Sequence, residues 1–147
     1  MHLTELLSRD RILANCTAND WGEALGIGVG LLMTDGYVDG RYLQAIIDNH
    51  QKLGPYMVIA PGICLGHARP EDGALKTGAS LLTLNPEIAF GNATNDPVWF
   101  LLCLAAQDSD GHLQALTELM ELLMDEEKMA GIRLADSSES IWGIINQ

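Results

Sequence analysis

Nine consecutive apolar residues, Val98-Trp99-Phe100-Leu101-Leu102-Cys103-Leu104-Ala105-Ala106, stand between a polar loop and a cluster of helix-capping residues. A run this short cannot cross a bilayer as a helix, which takes about 20 residues. A strand with one wet face would alternate apolar and polar positions, and residues 98–106 do not. The run therefore reads as a central strand buried on both faces. Such a strand needs a layer above and a layer below, which helices elsewhere in the chain can supply. The chain has 147 residues, of which 48% are hydrophobic. That suits one domain, residues 1–147, with a core large enough to fold without disulfides or metal.

The rest of the chain supplies those layers. Residues 11–16 read as a short strand. Asn19 or Asp20 can cap a helix running to about Met33, with Trp21, Leu25, Gly28, Val29 and Leu32 at helical spacing and Gly36 as its stop. Gly26, Gly28 and Gly30 fall inside this pattern. Their spacing is wrong for a dinucleotide-binding turn, and close helix packing accounts for them better. Asp39 can cap a second helix carrying Tyr42, Leu43, Ile46 and Ile47, which stops at Gly54-Pro55. Residues 56–60 read as a buried strand, 77–84 as another and 86–90 as a short extended piece. Residues 91–97 are turn formers. Asp108-Ser109-Asp110 opens a helix over about 111–124, with Asp110 taken as the N-cap. Asp125 starts a shorter helix, and Asp136-Ser137-Ser138-Glu139 matches a capping box before a last one. The sum is an α/β domain with no repeats or linkers.

The formal net charge is −12. A surface of that sign repels nucleic acid and anionic membranes and favours basic protein partners. The three cysteines, Cys16, Cys64 and Cys103, are widely spaced, so a disulfide framework or a zinc site is not expected. Reduced thiols and an N-terminus without a signal-peptide core suggest a cytosolic setting.

The chemistry centres on Gly66-His67-Ala68-Arg69-Pro70. Glycine and proline on both sides predict a loop, fed by the strand at 56–60. If the segment is extended, His67 and Arg69 project from one face. An imidazole can act as a nucleophile and a guanidinium can fork onto phosphate oxygens. A loop histidine beside a solvated arginine is the plainer reading. His112 adds a second imidazole. As the second residue of its helix it would sit among free N–H groups and a partial positive charge, where phosphate binds and imidazolium is disfavoured. Gly111 lies in the same helix start. An ordinary surface histidine or a two-histidine metal site are the alternatives; no third ligand has suitable spacing. His50 reads as a helix-end residue, and Cys64 and Cys103 as small apolar core residues.

Several stretches in order resemble enzyme IIA of the bacterial phosphotransferase system, of the mannitol–fructose type and its ascorbate-type branch. They are Tyr42 to Asp48, Gly54 to Ile63, His67-Ala-Arg-Pro-Glu-Asp-Gly73, Lys76-Thr-Gly78, Asn95-Asp-Pro-Val98 and the Asp-x-x-His ending at His112. The resemblance implies a mixed sheet flanked by helices on both faces, a phosphohistidine at His67 and a second, unphosphorylated active-site histidine at His112. The family's usual proline before the active histidine is Gly66 here. The arginine that mannitol-type members carry within 49–52 is missing; that stretch holds His50 and Lys52, and Arg69 or His50 is the candidate to replace it.

The expected function is then a cytoplasmic phosphocarrier. It would take a phosphoryl group from phospho-HPr on His67 and pass it to a cysteine of a cognate IIB protein serving a membrane IIC permease. The transported compound would be ascorbate or another sugar acid or polyol. His112, Arg69 and backbone groups at Gly66 and Gly111 would hold the phosphoryl oxygens, with no metal and no cofactor. An apolar docking face would include Ile63 and Leu65, rimmed by Asp96 and Glu71. A regulatory phosphohistidine module of the same fold and a metal-dependent hydrolase are the rival readings.

Overall fold

The computed structural model describes residues 2–147. Five strands, β1 (Ile12–Cys16), β2 (Val58–Ala60), β3 (Ile63–His67), β4 (Gly78–Ile88) and β5 (Val98–Ala105), form one sheet in the order β1-β4-β5-β3-β2. The helices are α1 (Leu3–Leu6), α2 (Trp21–Thr34), α3 (Arg41–Leu53), α4 (Ser109–Leu123), α5 (Glu126–Leu134) and α6 (Ser138–Ile145). The sheet is mixed. β5 runs antiparallel to β4 and parallel to β3, β1 is parallel to β4, and β2 is antiparallel to β3.

All eight residues of β5 are buried, as the unbroken apolar run requires. Leu101, Cys103 and Ala105 pack into the layer formed with α2 and α3, against Leu25, Val29 and Ile46. Phe100, Leu102 and Leu104 pack into the opposite layer with α1, α4, α5 and α6, against Leu6, Leu119, Ile132 and Ile141. The alternation of strand side chains thus divides one continuous run between two cores.

Capping chemistry sets most helix starts. The carboxylates of Asp20 and Asp125 accept the N–H groups of Glu23 at 2.8 Å and Lys128 at 3.0 Å, and the Ser137 hydroxyl accepts that of Ser140 at 3.1 Å. Asp39 accepts the Arg41 N–H at 2.9 Å from one residue before the N-cap, Gly40.

Three expectations about the strands change. Residues 63–67, read as a loop from their glycines and prolines, are strand β3. Only Val58–Ala60 of the expected strand at 56–60 pairs, as an edge strand on β3. Gly66 misled the reading because it serves packing. A Cβ there would stand 2.9 Å from Leu25 Cδ2. Glycine in a strand interior often marks a close approach of another element. The true turn glycine is Gly62, at φ +76°. The pieces at 77–84 and 86–90 fuse into the long strand β4.

The glycines of α2 divide by the same test. A Cβ on Gly28 would meet Cys103 Sγ at 2.6 Å, so this glycine lets the helix lie on β5; a Cβ on Gly30 meets nothing within 4 Å. Gly30→Ala should therefore stabilise the protein by up to about 1 kcal/mol, the helix-propensity difference. Gly28→Ala gains the same propensity but overpacks the core, at a net cost of about 1–3 kcal/mol. Denaturant midpoints at constant slope give the test; equal shifts for the two variants would contradict the packing account.

Candidate functional site

The parallel pairing of β3 with β5 brings two chain segments to one edge of the sheet. His67, the last residue of β3, is in register with Leu104 near the end of β5. Beyond β5 the chain passes Gln107, whose N–H donates to the Thr77 hydroxyl at 3.1 Å, and turns into α4. The N-cap of α4 is Asp108, whose carboxylate accepts the Gly111 N–H at 2.7 Å. The cap expected at Asp110 is thus two residues late, and His112 is the fourth residue of its helix. Asp108 is the better cap because its backbone is still extended, with φ −152° and ψ 176°.

The two imidazoles meet there. Ring centroids of His67 and His112 are 5.7 Å apart at 44°, and Tyr56 sets its ring edgewise to His67 at 6.1 Å and 83°. Both histidines line an open hollow of about 320 Å³ together with Asn49, Tyr56, Arg69 and Ser109. His67 Nδ1 lies 3.0 Å from the Leu65 carbonyl oxygen. A carbonyl only accepts, so this contact assigns the proton to Nδ1 and leaves a lone pair on Nε2. Burial holds the pKa of His112 below the ordinary histidine value, and the neighbouring His67 lowers it further. At neutral pH His112 is therefore a neutral ring, with one nitrogen to donate and one to accept.

The other expected residues fall into distinct places. Arg69 lines the hollow, but its exposed guanidinium lies against Glu71 at 3.6 Å and Asp72 at 3.9 Å, carboxylates of its own turn. Gly111 has its N–H engaged by Asp108, and a Cβ on it would stand 2.9 Å from the Thr77 hydroxyl oxygen. The amides of Ser109 and Asp110 are among those left without an intrahelical acceptor at this helix start. Gly66 lies against α2, as described. His50 is turned into the core, with its ring 4.1 Å from that of Trp21 and 6.2 Å from that of Phe90. Asn49, its neighbour on α3, faces the hollow instead.

Two surface expectations also change. Leu65 is 4% exposed and belongs to the core, so it forms no docking face. Tyr56, an exposed apolar residue, lines the hollow with both histidines, and the exposed Leu113 follows His112 in α4. The Asp96 carboxylate accepts the N–H groups of Phe90, Gly91 and Asn92, at 2.9, 2.8 and 3.0 Å, and so builds its own loop. Tyr56, Asn49 and Ser109 were not legible as site residues. Each is a common residue type brought to the hollow by a different element. Among the described residues, no group of three or more His, Cys, Asp or Glu is placed to hold a metal ion. No helix among them is long and apolar enough to cross a membrane.

Residues 5–147 match the family described as "Phosphoenolpyruvate-dependent sugar phosphotransferase system, EIIA 2". The chain is 38% identical to an ascorbate-specific PTS system EIIA component of Escherichia coli, over 100% of this chain and 97% of the relative. Among solved structures it resembles the mannitol-specific cryptic phosphotransferase enzyme IIA CmtB of Escherichia coli, with a TM-score of 0.89 and 37% identity over 99% of this chain and 98% of the other. It also resembles the IIA of a complex of enzyme IIAMTL with phosphorylated enzyme IIBMTL from Escherichia coli, with a TM-score of 0.83 and 25% identity over 95% and 96%.

The buried His50 makes a prediction about acid stability. Its pKa is lowered by burial, with a backbone hydrogen bond to Phe90 and the charge of Asp96 acting the other way. His50 Nδ1 is buried without a partner. The unfolded chain, with histidine near 6.5, then binds more protons than the folded one just below that pH. Stability should fall as pH drops below about 7, through the interval between the unfolded and the lowered folded pKa, and flatten once the folded pKa is passed. His50→Phe should reduce that slope in urea titrations at each pH; an unchanged slope would assign the acid sensitivity elsewhere.

Proposed function

Because the chain belongs to the EIIA 2 family of phosphoenolpyruvate-dependent sugar phosphotransferase systems, and is thus a phosphotransferase component, we propose that His67 is its phosphoryl-carrying residue. The donor is phospho-HPr and the acceptor a cysteine of a cognate IIB protein that serves a membrane IIC permease. The observation that carries this reading is the contact of His67 Nδ1 with the Leu65 carbonyl. It fixes the tautomer whose Nε2 is a nucleophile, with a second imidazole at hand.

Nε2 attacks the phosphorus of the donor's phosphohistidine in line. The new N–P bond forms as the donor's N–P bond breaks, and the donor imidazole leaves with that electron pair. Positive charge grows on the His67 ring, and the Leu65 carbonyl stabilises it through the retained Nδ1–H. The same proton keeps the ring a good leaving group for the next transfer, to a thiolate. Phosphoryl transfer of this kind is mostly positioning and electrostatic stabilisation. A donor nitrogen of His112 and the amides at the start of α4, those of Ser109 and Asp110, would hold the phosphoryl oxygens. Arg69 can join them only by leaving Glu71 and Asp72, an exposed contact of small energetic weight.

The working compartment is the cytoplasm, where the donor carries its phosphoryl group. The transported compound is ascorbate or a related sugar acid or polyol, in keeping with the ascorbate-specific and mannitol-specific relatives. A IIA protein need not touch it, so choice rests with the partner that accepts the phosphoryl group. HPr and IIB must bring a reactive atom to the same imidazole, so they share one face, whose apolar part includes Tyr56 and Leu113. The net charge of −12 suits a basic donor and makes encounter faster at low salt.

Incubation with phosphoenolpyruvate, enzyme I and HPr should add one acid-labile phosphoryl group, located on His67 by mass mapping and absent from His67→Ala. Label on His112 would overturn the assignment. His112→Ala should stay folded, become labelled at His67, and transfer about 100-fold more slowly, as when one preorganised donor is removed. Wild-type rates in both directions would remove His112 from the site.

A further inference from the structure

Tyr42 lies beneath the phosphoryl-accepting histidine rather than beside it. It belongs to α3 and is 1% exposed. By its spacing it is an ordinary apolar position of that helix. Its hydroxyl, however, reaches across the core to the end of the sheet. It donates to the Leu104 carbonyl at 2.6 Å and accepts the Ala68 N–H at 3.0 Å. Leu104 is the residue in register with His67, and Ala68 is the residue that follows it. One buried oxygen therefore joins the last residue pair of β3 and β5 to the first residue beyond the strand.

We propose that Tyr42 is a positioning residue for phosphoryl transfer, its hydroxyl holding the peptide after His67 so that the imidazole keeps its bond to Leu65 and its distance from His112. The proposal rests on His67 being the phosphoryl carrier. It follows from where the backbone runs out of partners. Past His67 the parallel ladder stops, and the Ala68 amide has no strand to bond. A buried amide without a partner is costly, and a free strand end would fray. The phenol supplies the missing acceptor and at the same time satisfies Leu104, so the nucleophile sits on an end that cannot open without breaking two buried hydrogen bonds. Burial pushes the Tyr42 pKa up to about 12, against the pull of the Ala68 hydrogen bond, so the group stays a neutral phenol able to donate and accept at once. Tyr42 touches neither donor nor phosphoryl group; its action on the reaction passes through the backbone of Ala68.

Tyr42→Phe keeps the ring and removes the oxygen. The variant should still bind unphosphorylated HPr within about twofold of wild type, because the docking face is unchanged. Its rate of phosphoryl uptake at saturating phospho-HPr should fall about 10- to 100-fold, the scale of a misplacement of reacting atoms by up to an ångström. The ring ¹⁵N shifts of His67, which in the wild type report a proton on Nδ1, should move toward a mixture of tautomers. A wild-type rate, or a slower rate with unchanged His67 shifts, would overturn the proposal. If Tyr42→Phe does not fold, 3-fluorotyrosine at position 42 keeps the ring and hydroxyl while weakening the oxygen as an acceptor. The rate and the Ala68 amide exchange should then both shift, and an unchanged rate overturns the proposal equally. A wild-type protein that takes no phosphoryl group on His67 would instead refute the carrier reading itself.

Discussion

Everything at the functional end of this molecule depends on β5 being paired on both sides and covered on both faces. A backbone with no access to water must satisfy each N–H and C=O within the protein. β5 does so through an antiparallel neighbour, β4, and a parallel one, β3. The parallel pairing has the larger consequence. Two strands that run the same way end on the same edge, so His67 at the end of β3 meets the helix that starts just after β5. The meeting of His67 and His112, far apart in the chain, is the geometric result of one sheet neighbour running parallel.

The site built on that edge uses backbone groups as much as side chains. The Leu65 carbonyl chooses the tautomer of His67, and the Asp108 carboxylate sets where α4 begins and hence where His112 stands. Glycines serve close approach. Gly66 lets α2 lie on β3, Gly28 lets the same helix lie on β5, and Gly111 lets α4 start against Thr77. The charged side chains are less committed. Arg69 rests on the carboxylates of its own turn, and an exposed pair of this kind is easily exchanged for another partner. The site thus sets a fixed imidazole, held by backbone groups, beside a loosely held charge.

Sequence reasoning reached the fold class because the strongest signals were local. The apolar run at 98–106, the helical stripes and the capping residues each act within one element, and the two-sided burial of β5 follows from its composition alone. His67 and His112 were legible as a pair through their neighbours and through the resemblance of several ordered stretches to one family. The errors arose where one residue type serves two physical purposes. Gly66 signalled a turn and is a strand residue placed for packing. Asp110 and Asp108 are equal as caps in composition, and only the backbone angles choose Asp108. Leu65 and Asp96, expected at a docking face and its rim, were taken up by the core and by a loop's own amides.

What the sequence determined by itself was most of the helices, the buried central strand and the imidazoles available for chemistry, because periodicity and capping act over a few residues. Tertiary structure alone decided strand order, the parallel direction of β3, and therefore which residues share the hollow. Asn49 faces it while His50, one residue on, packs its ring against Trp21 in the core; a single step along a helix turns a side chain through about 100°. Tyr42 is the same case in another form. Its position in an apolar stripe requires only a large buried ring, and the hydroxyl gains its partners solely because folding brings the ends of β3 and β5 above it.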